Sequence, residues 1–312
     1  MYTKYYHLDD EPFRLTPDPR YLHLSEPHQV ALTAVLEGIF YRKGLVMITG
    51  PIGTGKTTLV HAALQLLTSK KMPIKSALLF NPTLTRDEFL EMMLEEFEVQ
   101  CSSPSKPKRL AALHDMLLDT QRSGGTSVLF IDEAHLLSPE LLEEIRLLGN
   151  ADTHQAKLLQ IVLSGQPELE TIMRRRELSA LQQRIASRAQ LRPLSLAETR
   201  VYIGERLHAA GLQGASPFAP AAVDVVHQCT QGTPRLVNLL CDACLTLGFK
   251  AQQTTIQPSL VDEAAVSLDL ARPMHHLDKA VAAEAVPAAV IQKTAVDLLI
   301  EAMKHNRSAV RE

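Results

Sequence analysis

The stretch Gly50-Pro51-Ile52-Gly53-Thr54-Gly55-Lys56-Thr57-Thr58 fits the pattern G-x-x-x-x-G-K-[ST]. Its glycines Gly50, Gly53 and Gly55 allow backbone N–H groups to turn toward one point, where the start of a helix adds partial positive charge. A chain of phosphates is the ligand that such a cradle suits. Lys56 would place a point charge among the outer phosphates, and the Thr57 hydroxyl is a ligand for Mg²⁺. The setting supports the pattern. "GLVMITG" (44–50) is a short apolar run that suits a buried strand, and Leu59, Ala63, Leu66 and Leu67 follow at helical spacing. All nine residues of the loop are expected to face the phosphates.

A second stretch, "SVLFIDEAHLL" (127–137), runs Val128, Leu129, Phe130 and Ile131 into two carboxylates. Four consecutive apolar residues suit a strand buried on both faces, which would deliver Asp132 and Glu133 to the same sheet edge as the loop. Asp132 is placed to hold Mg²⁺ through its water shell, and Glu133 to polarise an attacking water as general base. Together with Lys56 and Thr57 they lead to an expectation of ATP and Mg²⁺, and of hydrolysis. The letters Asp132-Glu133-Ala134-His135 also spell a helicase signature. A helicase of that class needs a Ser-Ala-Thr strand end and a second α/β motor domain. Here the next strand ends "VLSGQPEL", and no second α/β alternation follows.

The elements that must position these residues alternate along the chain. Strands are expected at 44–50, 75–80, 126–132 and 157–165, with a fifth at "QLRPL" (190–194). Between them lie helical patterns: 29–41 with Val30, Ala34 and Ile39; the helix from Lys56; one opened by a Thr85–Glu88 capping box with Phe89, Met93 and Phe97. Another is centred on Leu110, Leu113 and Leu117, and one starts at Ser138-Pro139. Such alternation implies an α/β fold, a parallel sheet with helices on both faces. After Pro193 the pattern becomes all-helical, opening with a Ser195–Glu198 capping box. The expected organisation is an N-terminal strap and helix (1–43), a P-loop core (44–193), a small helical lid (194–268), and a linker with an amphipathic C-terminal helix (269–312). That last helix, near 289–304, carries Ile291, Ala295, Leu298, Leu299 and Met303 as its apolar stripe.

Of 312 residues, 46% are hydrophobic and 21% charged, with a net charge of −3, so no overall basic field announces nucleic acid. Four cysteines without a dense framework suit a reducing compartment. No apolar run approaches the ~18 residues of a membrane span, and the first residues lack a signal-peptide core. A cytoplasmic protein is expected. Cys241 and Cys244 form a C-x-x-C inside an apolar helical pattern with no second ligand pair, which favours buried structural cysteines over zinc.

The order of P-loop, paired acids, polar strand end, arginine-bearing segment and helical lid resembles the AAA+ ATPases. That resemblance implies further roles. Ser164 or Gln166, with Gln166 preferred, would orient the catalytic water. Arg184 and Arg188, read as four apart on one helix face, would include an arginine finger reaching a neighbouring copy. Thr233 as N-cap and Pro234 after it would place Arg235 in the first turn of a lid helix, directed at the nucleotide. Arg174, Arg175 and Arg176 read as a solvated or partner-facing charge run.

Within AAA+, "FRLTPDPRYLHLSEPHQVAL", "FIDEAHLL", "LQIVLSGQPEL", "QRIASR" and "GTPRLVNLLCDACL" resemble the ExeA/GspA family over residues 5–268. The nearer likeness is to its short MshM-type members. The resemblance implies a homo-oligomer, ring or filament, that powers placement of an envelope secretion or pilus complex. The longer members continue into a membrane span and a peptidoglycan-binding domain, neither of which is expected from this sequence. Transposon-borne AAA+ regulators share the motif order and supply an alternative, in which the partners are double-stranded DNA and a transposase. Arg174–Arg176 with Lys106, Lys108 and Arg109 would then be phosphate contacts.

Overall fold

Uninterrupted apolar runs make strands here because helices cover both faces of the sheet they enter. In the computed structural model, residues 2–16, 21, 24–69, 73–80, 83–152 and 156–270 are described. The expected linker and C-terminal helix of 269–312 fall almost wholly outside them. The chain packs as two units.

The chain begins with one helical turn, α1 (Tyr2–Tyr5), which belongs to the second unit. The first unit spans 26–52 and 56–191. Its elements run α2 (Glu26–Phe40), β1 (Leu45–Thr49), α3 (Lys56–Ser69), β2 (Ile74–Leu79), α4 (Arg86–Glu96), α5 (Lys106–Arg122), β3 (Thr126–Ile131), α6 (Pro139–Leu148), β4 (Leu159–Gly165), α7 (Glu168–Met173), α8 (Ser179–Gln182) and β5 (Ile185–Gln190). Among the described residues the sheet has five strands in the order β2-β3-β4-β1-β5, every pair parallel. β1, β3 and β4 are buried at every position.

One face of the sheet, with Met47, Leu79, Leu129, Ile131, Ile161 and Leu163, packs against Phe89, Met93 and Phe97 from the α4 segment and Leu113 and Leu117 of α5. Burial of each such side chain contributes ~1.5–3 kcal/mol. The capping box of α4 is formed: Thr85 Oγ1 accepts from Glu88 N–H (3.3 Å), and Thr85 N–H donates to Glu88 Oε2 (2.8 Å). Ser138 Oγ accepts from Leu141 N–H (3.2 Å), with Pro139 in the first turn of α6.

Two expectations shift. The buried face of α2 is Ala31, Leu32, Val35, Leu36 and Ile39, whereas Val30 is 61% exposed. The fifth strand is Ile185–Gln190, not 190–194, and it forms where a helix had been read. Its register sets Arg188 opposite Met47 and Gln190 opposite Thr49, and Leu191 N–H still donates to Thr49 O (2.7 Å).

Among the described residues, the second unit comprises 2–16, 21, 24–25, 53–55 and 192–270. It holds α9 (Leu196–Ala209), α10 (Pro220–Thr230), α11 (Pro234–Lys250) and α12 (Pro258–Ser267). α9 opens with a formed Ser195–Glu198 capping box. The N-terminal segment opens with α1, and its aromatics are built into this helical core. Tyr2, Tyr6, Leu8, Phe13 and Tyr21 are buried with Tyr202, Leu207, Leu240 and Leu245. Tyr2 Oη donates to Asp242 Oδ1 (2.5 Å), and Tyr6 Oη to Gln253 O (2.8 Å). Arg206 of α9 fixes the same segment, with Nε donating to Pro12 O (2.5 Å) and Nη2 to Arg14 O (3.3 Å).

Candidate active site

The loop after β1 is shaped by its glycines. Gly53 (φ +77°) and Gly55 (φ +96°) occupy the left-handed region, where a β-carbon would be strained. Gly50 acts differently from expectation, since its N–H donates to Gly165 O (3.2 Å) and continues the β1–β4 ladder. Around them Pro51 and Ile52 are exposed, Thr54 is fully buried and Thr58 is half-buried in the first turns of α3. No acidic residue of α3 itself lies in its first turn.

Lys56 is 5% exposed, and its Nζ donates to Gly50 O (2.8 Å) and Pro51 O (3.0 Å). Burial pushes the ammonium below its ordinary range, while the charges of Glu133, Asp132 and Glu168 push it back up.

β3 delivers its acids as the sequence implied. Asp132 is 2% exposed; Thr57 Oγ1 donates to its Oδ2 (2.5 Å) and Glu133 N–H to its Oδ1 (3.0 Å). Its own N–H donates to Leu79 O (3.0 Å), which ties the acid to the end of β2. Glu133 sits at φ 51°, ψ 35°, a left-handed conformation that costs a non-glycine residue ~1–2 kcal/mol. The reversal feeds a short 3₁₀ turn, Ala134–Leu136, closed by Leu136 N–H on Glu133 O (2.9 Å). His135, 11% exposed, is thereby turned against the end of β4. Its Nδ1 lies 3.4 Å from Glu133 Oε2 and accepts from Gln166 N–H at 3.4 Å.

The residues present fit Mg²⁺ and a triphosphate. The paired Thr57 hydroxyl and Asp132 carboxylate form an all-oxygen set, which suits a hard cation completed by phosphate and water. No group of three His, Cys, Asp or Glu side chains able to hold a metal occurs among the described residues. On β4, Ser164 Oγ is wholly buried and without a hydrogen-bond partner, while Gln166 is half-buried beyond the strand end.

Arg184 and Arg188 do not share a helix face. Arg184 precedes β5 and its Nη1 donates to Arg146 O (2.7 Å) near the C-terminus of α6. Arg188 projects from β5 and is exposed. Arg174, Arg175 and Arg176 are exposed after α7, with Arg174 3.8 Å from Glu170.

In the helical unit, Arg235 is exposed in the first turn of α11, and its N–H donates to Gly53 O (3.2 Å). Thr233 takes the N-cap position without a side-chain capping bond. Cys241, Cys244 and Cys229 are buried; burial pushes the Cys241 thiol well up and that of Cys244 to about 12, so these are inert core residues. A contact that the motifs did not signal is Thr49 Oγ1 donating to Glu170 Oε1 (2.6 Å), which joins the base of the loop to α7.

The AAA domain family matches residues 39–173. The chain is 40% identical over 251 residues to the general secretion pathway protein A of Aeromonas hydrophila, covering 80% of this chain and 45% of that protein. It therefore spans about half the length of that relative. Among solved structures, the Cdc6p of Pyrobaculum aerophilum aligns over 83% of this chain and 71% of its own (TM-score 0.66, 17% identity). The ORC2 protein of Aeropyrum pernix, solved as ADPNP and ADP complexes, covers the same shares (TM-score 0.63, 14% identity). Drosophila ORC bound to DNA covers 83% of this chain and 64% of its own (TM-score 0.64, 18% identity). At these identities the likeness is one of fold. No helix among the described residues is long and apolar enough to cross a membrane.

Proposed function

Because this chain is an AAA+ protein of the ExeA/GspA type, we propose that it binds and hydrolyses Mg²⁺-ATP and that copies of it assemble to do so. The work of that cycle would drive assembly of a secretion or pilus complex, from the cytoplasmic side of the envelope. The observation that carries the reading is one sheet edge where a glycine-shaped loop, a buried lysine and a bonded Thr57–Asp132 pair meet.

Lys56 is held by two loop carbonyls, which a phosphate oxygen of higher charge displaces. Thr57 and Asp132 are the residues that would hold Mg²⁺, which supplies charge neutralisation at the phosphates when bound. Glu133, carried past the strand end by its left-handed backbone, orients a water and accepts its proton at a carboxylate oxygen. Ser164 and Gln166 stand at the end of β4 as the polar groups that would order that water, and the orphaned hydroxyl favours a share for Ser164. Arg188 is the better placed of the two finger candidates, since Arg184 is occupied within its own subunit. Arg235 would respond to nucleotide from the lid.

The DNA-bound fold relative is too distant to bring DNA binding to this chain, and a transposase partner has no support in the relatives above. The test separates binding from chemistry. Glu133→Gln is expected to keep ATP affinity, measured by titration calorimetry, while phosphate release falls by on the order of a hundredfold or more. Full turnover in Glu133→Gln would end the assignment.

A further inference from the structure

We infer that His135 is a positioning residue that couples the Glu133 carboxylate to the end of β4 through one ring nitrogen. The inference rests on the reading of Glu133 as the water-polarising base. Nδ1 of His135 faces two partners at once, Glu133 Oε2 and Gln166 N–H, each at 3.4 Å. A single ring nitrogen cannot serve both. It accepts from Gln166 only with its lone pair bare, and donates to Glu133 only when it carries a hydrogen.

Two neutral arrangements follow. With the hydrogen on Nε2, Nδ1 holds the Gln166 amide, and Glu133 keeps both oxygens free for water. With the hydrogen on Nδ1, the ring engages one Glu133 oxygen and turns it away from water, and the Gln166 amide is released. Passing between them, the ring loses a proton to solvent at one nitrogen and gains one at the other, so its charge is unchanged. The position of the β4 end, where Ser164 and Gln166 lie, is thus tied to the readiness of Glu133.

The local backbone is built for this approach. Glu133 adopts a left-handed conformation, and the 3₁₀ turn that follows folds His135 back onto β4. Gly165 permits the close fit: a β-carbon there would stand 3.2 Å from His135 N and 3.0 Å from Leu169 Cδ2. At 11% exposure the ring has little freedom to leave.

The test uses the full chain with ¹⁵N-labelled histidine, in which ring ¹⁵N signals report which nitrogen carries the hydrogen. The His135 signals, assigned by their loss in His135→Asn, are expected to show hydrogen on Nε2 in the nucleotide-free protein and to shift in Glu133→Gln. In ATPase assays, His135→Ala is expected to lower kcat about tenfold with KM unchanged, and His135→Asn to restore most of it, because the amide offers an acceptor and a donor in similar places. His135 signals indifferent to Glu133→Gln overturn the coupling. So does a His135→Ala protein with unchanged kcat, or one in which KM and unfolding midpoint worsen together and Asn gives no rescue. Should the wild-type chain not hydrolyse ATP at all, the proposed activity fails, while the ring signals still decide whether His135 and Glu133 are linked.

Discussion

Lys56 and Arg206 are both cations shut away from water, 5% and 7% exposed, and they are held in opposite ways. Lys56 rests on carbonyls of its own loop, five and six residues away. Arg206 reaches segments almost two hundred residues distant in sequence, at Pro12 and Arg14, and its Nη1 donates to Tyr202 Oη (2.9 Å). Its guanidinium also lies 5.0 Å over the Tyr21 ring and 5.6 Å over that of Tyr202, where the ring quadrupoles favour a cation. The planar fork of an arginine is suited to fastening remote strands of chain, and the compact ammonium of a lysine to exchanging one oxygen for another. A buried charge can therefore signal either architecture or chemistry, and the reach of its partners tells which.

The sharpest test of that contrast is Arg206→Ala. It removes three hydrogen bonds and strands two carbonyls, and should cost the helical unit about 4 kcal/mol, read as a lowered urea midpoint. Arg206→Lys should recover little, while ATP affinity of the folded fraction stays unchanged. Lys56→Ala is expected to behave inversely. ATP affinity falls on the order of a hundredfold, with the urea midpoint lowered less than in Arg206→Ala because burial already penalises the lysine charge. A Lys56→Ala protein that unfolds readily, or one that binds ATP normally, would erase the distinction.

The smallest effect concerns pH. His227 of α10 lies 2.9 Å from Thr199 Oγ1, and burial holds its imidazole below the ordinary value of 6.5, with Asp224 pushing up and Arg200 down. A lowered value in the folded state means that the unfolded chain takes up the proton first. Stability from this group is thus complete above pH ~6.5 and declines as pH falls through the depressed folded value. His227→Gln should flatten that slope in denaturation curves between pH 7 and 5, without altering the response of Lys56→Ala.

The edge that carries the candidate site was legible because its signals are local. The apolar runs of β1, β3 and β4 stay buried at every position, and the caps at Thr85, Ser138 and Ser195 form as their spacing implies. β5 was not legible. Ala186, Arg188, Ala189 and Gln190 are good helix formers, and only pairing with β1, some 140 residues earlier, makes them a strand. The mistake carried directly into the site, since it placed Arg184 and Arg188 on one helix face. The N-terminal aromatics were visible as a group, but their destination in the helical core depends on contacts with residues 200 and more positions away. The partners of His135 were not legible for another reason: its position follows from the left-handed backbone of Glu133, which no pattern of residue types announces.

The insertion of β4 between β1 and β3 has a consequence of its own. The strands that lead into the loop and the acids, β1 and β3, lie two ladder spacings apart, ~10 Å in all, and main-chain hydrogen bonds hold that interval. The vulnerability lies elsewhere. Deleting one residue inside β4 would slip its register, set Gly165 out of step with Gly50, and turn Ser164 to the opposite face of the sheet.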